Sequence, residues 1–204
     1  MSLFGRVFRK NRTKVPSNKE PLLLDIGAGA NYKDGWVHVD FFRYSFKFWK
    51  SKNFRKKPEV EMDLRYPINC PNNTVDGVYS CHVLEHLNYN EANRLIKEIY
   101  RILKPNCYLR IIVPDLETYI EFYTKKSINP KFQFGCEAIS YLTQMNGHKS
   151  VWDTEYLMHV LKLNGFIDVK RVRYGKEGVD ARLIKDNMNR ESESIVLEAK
   201  KPND

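Results

Sequence analysis

The sequence of 204 residues is first informative in what it lacks. It holds no apolar run near the ~20 residues that cross a bilayer, so no membrane-spanning helix is expected. Its N-terminus is basic but has no apolar stretch of the signal-peptide kind, which points to a cytoplasmic protein. The four cysteines, Cys70, Cys81, Cys107 and Cys136, include no pair at zinc-ligand spacing. A zinc ribbon is thereby excluded, and reduced thiols are expected rather than a disulfide framework. Gly27-Ala28-Gly29 follows a short apolar run, Leu22 to Ile26, but the third glycine of a dinucleotide fingerprint is missing. Only Gly27 to Gly35 then separates Ile26 from a second strand-like run, Trp36 to Val39. A parallel crossover carrying a helix needs roughly a dozen residues. The first crossover helix is therefore expected to be short or absent, and with it goes the usual seat of a pyrophosphate. Both absences count against NAD and FAD.

What is present suffices for one folded domain. About 42% of the residues are hydrophobic, enough for a core and too many for disorder. The net charge of +9 is unevenly spread. Residues 1–20 hold six Lys/Arg against one Glu, and residues 41–57 hold seven with no acid. Together they exceed the total, so the remaining body is slightly acidic and the whole chain does not read as a nucleic-acid binder.

Two basic segments carry apolar residues of their own. Residues 1–20 read as a basic tail, solvated or forming a short amphipathic helix with Phe4, Val7 and Phe8 on one face. Residues 41–58 interleave seven aromatics with seven cations. They suit stacking on bases and gripping phosphates, lying in a membrane interface, or docking aromatics on the sheet while lysines face water. An anionic membrane surface and RNA are accordingly the partners to consider for 1–20 and 41–57.

Further along, Val60 to Asp63 reads as a third strand and Val75 to Ser80 as a fourth. The Cys70-Pro71 pair lies in a loop before that strand and is set aside as a nucleophile. Asn88 or Asn90 can cap a helix whose apolar stripe runs Ala92, Leu95, Ile96, Ile99, Ile102, Leu103 before Pro105 stops it. Tyr108 to Val113 is a fifth strand, Thr154 to Leu163 a helix, Phe166 to Val172 a sixth strand and Ile195 to Ala199 a seventh. Gly175 to Arg190 reads as a polar loop. His38 is expected to be a packed, hydrogen-bonded strand residue.

In order, Asp25-Ile-Gly27-Ala-Gly29, Asp40, Asp63-Leu64-Arg65, His82-Val-Leu-Glu85-His86-Leu87 and Ile99-Tyr-Arg101-Ile-Leu-Lys104-Pro105 resemble class I S-adenosylmethionine-dependent methyltransferases. The resemblance is to the type 11, small predicted-methyltransferase branch, and it extends to Gly147-His148-Lys149 and Leu163-Asn164-Gly165-Phe166. Asn106 stands where that branch usually has glycine, and asparagine tolerates the positive φ the turn demands. The resemblance implies an α/β, Rossmann-like three-layer fold with a mostly parallel seven-stranded sheet and an antiparallel last strand. It implies S-adenosylmethionine as cofactor, with Gly27 and Gly29 facing the methionine end and ribose. Asp25 falls near the amino group, Asp40 on the ribose hydroxyls, Asp63 and Leu64 at the adenine, and Ser80 and His82 beside the sulfonium. Residues 116–150, with Tyr119, Phe122, Tyr123, Phe132, Phe134 and Tyr141, correspond to an acceptor-pocket segment, or else those aromatics are core.

Methyl transfer asks the protein mainly to align donor sulfur, methyl and acceptor with water excluded. His82, His86 and His148 are the candidates for taking an acceptor proton, with Glu85 and Asp115 able to orient them. His82 and His86, four apart, would share a face if the helix began early, but further metal ligands are not identified and no metal is expected. The expected activity is methyl transfer to oxygen or nitrogen of a small molecule, saccharide or lipid-linked precursor. The alternatives are an RNA methyltransferase using the basic segments and a non-catalytic S-adenosylmethionine-binding module. Neither an Asn/Asp-Pro-Pro-aromatic signature nor a cysteine nucleophile at the fourth strand supports RNA.

Overall fold

A computed structural model describes residues 11–29, 32–41, 58–186 and 188–203. Seven strands form one sheet: β1 (Leu23–Ile26), β2 (Trp36–Asp40), β3 (Val60–Glu61), β4 (Val75–Cys81), β5 (Leu103–Pro114), β6 (Ile167–Arg171) and β7 (Ser194–Lys200). Their order across the sheet is β3-β2-β1-β4-β5-β7-β6. The first five pair in parallel, and β7 runs antiparallel between β5 and β6. This is the Rossmann-like methyltransferase sheet that the ordered motifs imply. The described residues of the β1–β2 link hold turns and no helix. The third strand is shorter than the apolar run suggested, stopping at Glu61, so Asp63 stands in the turn beyond it.

One sheet face is packed by regular helices. α1 (Tyr89–Ile102) begins at Asn88, whose side chain accepts from Glu91 N at 3.0 Å while Glu91 bonds back to Asn88 N at 3.1 Å. That reciprocal pair fixes the helix start. Ala92, Leu95, Ile96, Ile99 and Ile102 bury against Leu24, Ile26, Val37, Val39 and Val78, and Leu157, Val160 and Leu161 of α4 (Thr154–Leu163) complete the layer. After Pro105, Asn106 takes a φ of +63°, the conformation expected of it as the stand-in for glycine.

The opposite face is covered differently. Leu23, Trp36, Tyr79, Ile112 and Val196 lie under Tyr174 and Leu183, which belong to the connection between β6 and β7. In the described residues this third layer is an irregular strap with two short 3-10 segments, Ala181–Leu183 and Met188–Glu193, rather than α-helices. Arg110 on β5, fully buried, holds it down. Its guanidinium donates to Glu198 Oε1 at 2.7 Å, to Asp186 Oδ1 at 2.9 Å and to the Glu177 carbonyl at 2.8 Å. The segment Gly175 to Arg190 is thus tied to the sheet by charge where its sequence offers few apolar anchors.

Residues 11–20, expected as part of a tail, are docked. Val15 is 1% exposed in the main core and its N–H donates to Asn69 O at 3.0 Å, while Asn11 Nδ2 donates to Pro67 O at 2.8 Å. One buried valine and a few backbone bonds suffice to hold it. The expected Phe4, Val7, Phe8 face, and all of the basic aromatic segment except its end residues Phe41 and Pro58, lie outside the described residues. No described helix is long and apolar enough to cross a membrane.

Candidate active site

A cleft runs over the C-terminal ends of the parallel strands, where open α/β sheets place ligands. It has two lobes. The smaller, about 400 Å³, is bounded by Asp40, Phe41, Asp63, Leu64 and Arg65. The larger, about 530 Å³, is bounded by Asp25, Tyr79, Glu85, His148, Lys185 and Arg190 among others. Gly27, Gly29, His82 and His86 line both and mark the junction.

Local sequence explains the junction. Gly27 has φ +74°, and a Cβ there would come 2.1 Å from Val83 Cγ2, so the turn after β1 closes on β4 only with glycine. Gly29, at φ +57°, has nothing within 4 Å of a Cβ position and opens into the cleft. Asp40, at the end of β2, ties this turn down by accepting from Gly29 N at 2.7 Å and from Phe41 N at 2.5 Å. Each carboxylate oxygen keeps a further acceptor direction, so paired hydroxyls can be taken in addition.

Asp63 is engaged by a bidentate fork from Arg65, with Nε to Oδ1 at 2.9 Å and Nη2 to Oδ2 at 2.7 Å. Hydrogen bonding to Asp63 pushes the Arg65 guanidinium above its ordinary value. The fork thus occupies the carboxylate that the resemblance assigns to the adenine amino group. Asp25 is 2% exposed, and Lys185 from the strap forms an ion pair with it. Burial pushes the Asp25 carboxyl above its ordinary range, with Lys185 pulling the other way. The ammonium of Lys185 thus stands where the resemblance puts the methionine amino group. Its Nζ also lies 5.2 Å from the Trp36 ring centroid and 5.6 Å from that of Tyr79.

The three candidate histidines separate. His82 adopts φ +55°, a left-handed conformation uncommon outside glycine. Its Nε2 is 3.0 Å from Ser194 Oγ and its Nδ1 is 3.2 Å from Arg190 Nη1, so both nitrogens have partners. His86 and His148 face each other, ring centroids 5.0 Å apart. Burial holds the His86 imidazole below its ordinary value, offset in part by Glu85. The helix begins at Tyr89, so His82 and His86 never share a helical face: Leu84–His86 is a separate 3-10 turn.

Backbone bonds bring His148 to His86. Lys149 N and Ser150 N donate to the Glu85 carbonyl at 2.7 and 3.2 Å, and Ser150 Oγ donates to Leu84 O at 3.1 Å. Ser80, expected beside the sulfonium, is 1% exposed and lines neither lobe, because alternation along β4 turns Tyr79 and Cys81 to the cleft instead. Burial pushes the Cys81 thiol up to about 12, which keeps it protonated and unsuited to nucleophilic attack. Of residues 116–150, Asn146 and His148 reach the larger lobe. The aromatics Tyr119, Phe122, Phe132 and Tyr141 pack on one another around α2 (Leu116–Tyr123) and α3 (Gly135–Gln144), and Tyr123 and Phe134 are exposed. Lys185 and Arg190 escaped notice in the sequence because a polar loop has no periodicity to read.

Residues 24–111 match the family described as "Methyltransferase domain". Over those residues the chain carries an S-adenosylmethionine-dependent methyltransferase domain. Among curated proteins none matches the chain. Solved structures share its fold at low identity. A SAM-dependent methyltransferase from Archaeoglobus fulgidus is 21% identical over 94% of this chain and 87% of its own, with a TM-score of 0.54. A possible histamine N-methyltransferase from Thermotoga maritima is 17% identical over 88% and 81%, at 0.55. Human N-acetylserotonin methyltransferase in complex with SAM is 17% identical over 90% of this chain and 48% of its own, at 0.54. The matched segment ends inside β5, so it contains the whole glycine turn, Asp40, Asp63 and the His82–His86 run but not His148 or the strap.

Proposed function

We propose that the smaller lobe takes the adenosine part of S-adenosylmethionine, with the sulfonium at the junction, and that the larger lobe takes the methionine end on its Asp25 side and the methyl acceptor on its His148 side. The observation that supports this is the shared lining by Gly27, Gly29, His82 and His86, between a lobe that holds Asp40, Asp63 and Leu64 and one that holds Asp25, Lys185 and His148. In this reading Asp40 accepts from both ribose hydroxyls, Leu64 packs on the adenine and Asp63 meets its amino group beside Arg65. Asp25 and Lys185 form a ready pair for the methionine amino and carboxylate groups, once the two side chains part. Ser80 backs the floor without reaching the cofactor. His86 and His148 stand where an acceptor's proton has to go, whereas His82 is held by Arg190 and Ser194 and shapes the junction.

The acceptor in this reading is an oxygen or nitrogen of a small molecule, saccharide or lipid-linked precursor. A cleft of this size edged by polar groups suits a hydrophilic group presented at its mouth. Calorimetry with S-adenosylmethionine tests the division of the cleft. Asp40→Ala should weaken binding by roughly 10- to 100-fold, the worth of charge-assisted hydrogen bonds. His148→Ala should leave binding within about twofold. Equal losses in both variants would overturn the assignment of the lobes.

A further inference from the structure

We propose that Glu85, His86 and His148 form a binding site for one divalent transition-metal cation on the acceptor side of the cleft. One ligand atom from each residue lies within 4.8 Å of the others. An ion bonded at about 2.1 Å to nitrogen and oxygen sets tetrahedral ligand atoms about 3.4 Å apart, so the set has about an ångström to close. The pairing of His86 with His148 is a tertiary product: sequence spacing offered His82 as its companion, and His82 has no nitrogen to spare.

Three further observations fit a cation. Glu85 is 1% exposed, and neither carboxylate oxygen has a hydrogen-bond partner among the described residues. Oε1 lies 3.0 Å from His82 Nδ1 but off the line of a hydrogen bond, and Arg190 already approaches that nitrogen. A carboxylate so placed is costly unless something positive satisfies it. Next, His148 Nδ1 is 2.6 Å from the Leu142 carbonyl. A proton on Nδ1 makes that contact, which leaves the Nε2 lone pair free. Imidazoles that donate one N–H to a carbonyl and offer the other nitrogen are the usual metal ligands. Finally, the three residues sit on a braced platform, since the Glu85 carbonyl receives both Lys149 N and Ser150 N.

Two imidazoles and one carboxylate suit Zn²⁺, Co²⁺, Mn²⁺ or Fe²⁺ better than Ca²⁺ or Mg²⁺, which favour oxygen. Three protein ligands leave coordination positions open toward the larger lobe. An oxygen of the acceptor can complete the shell there, and the ion would then lower the pKa of a bound hydroxyl, so that in the metal-bound chain the two imidazoles hold the ion instead of taking the acceptor's proton themselves. That last role rests on the lobe assignment above; the metal site does not.

The test uses the full chain freed of metal with a chelator. Co²⁺ is titrated in while its visible absorption is followed, and Zn²⁺ binding is measured by calorimetry. One equivalent per chain is expected, weakened at least 100-fold by His148→Ala and by Glu85→Gln. His148 lies outside the regular helices, and its substitution, confirmed folded by circular dichroism, keeps the test open if Glu85→Gln perturbs the core. Wild-type chain that binds neither ion, or binds equally well after both substitutions, would overturn the site. S-adenosylmethionine binding is measured on the same samples: its loss would count against the lobe assignment and leave the metal result standing.

Discussion

The two faces of the sheet are held by different physics. On one, α1 and α4 bury an apolar stripe, and the cleft residues Glu85 and His86 hang from the turn that leads into α1. On the other, a strap with few apolar residues is pinned by the buried Arg110–Asp186–Glu198 triad, and it carries Lys185 and Arg190 into the cleft. Apolar packing is non-directional and tolerates small errors of shape, whereas buried charges act only through particular partners. The cleft therefore has one wall set by packing and another set by charge. The contrast suits a site that must hold one cofactor firmly while an acceptor enters and leaves.

Breaking the charged wall should cost most. Arg110→Ala leaves two buried carboxylates without their cation, and a loss of about 3–5 kcal/mol is expected in chemical denaturation. Replacing the triad together, as Arg110→Met with Asp186→Leu and Glu198→Leu, should recover part of that loss, because no unpaired charge remains. If the single variant is as stable as wild type, the strap is not held by charge. On the packed wall, Asn88→Ala removes the side-chain half of the capping pair while the backbone N–H still reaches Glu91, and about 1 kcal/mol of stability should go with it. Ile96→Val, at a fully buried position of the same helix, should cost about 1 kcal/mol, with little effect on S-adenosylmethionine affinity. A large change in affinity from Ile96→Val would show that the packed wall is not independent of the cleft.

The smallest effect is one of pH and concerns the point where the walls meet. The Asp25 carboxyl is raised by burial despite Lys185. A carboxyl whose folded value lies above its unfolded one binds more protons when folded, so its contribution is full below the ordinary value of 3.8 and is lost as pH rises through the raised one. In Asp25→Asn this loss disappears. The melting temperature of the variant relative to wild type should therefore climb with pH across that window. The ion pair with Lys185 forms only with the ionised carboxylate and is already part of the net raised value, and a flat difference would refute the raised carboxyl.

Most of the sheet was legible in the residues. Short apolar runs, the Asn88 cap, Pro105 and Gly165 mark element ends by backbone chemistry that acts within a few positions, and the glycine turn followed by Asp40 located the cleft. Several features were not legible. Residues 11–20 look like a solvated tail because one buried valine hardly alters a basic composition. The aromatics of 116–150 read equally as pocket or as core, since a side chain that packs on its neighbours reads the same as one that faces a ligand. Arg110 reads as a solitary cation in an apolar strand, and nothing nearby in the chain announces Asp186 or Glu198.

The sequence by itself determined the element ends and the glycine turn, because hydrophobic period, caps and left-handed φ are decided locally, and its resemblance to a family implied the fold class and the cofactor. Only the tertiary structure decided that Lys185 stands on Asp25, that Arg65 shares Asp63, and that His86 meets His148 rather than His82. Those residue pairs lie on segments joined through the sheet and its loops. Burial strips away water there, and a charge or lone pair must take whatever partner the fold brings to it.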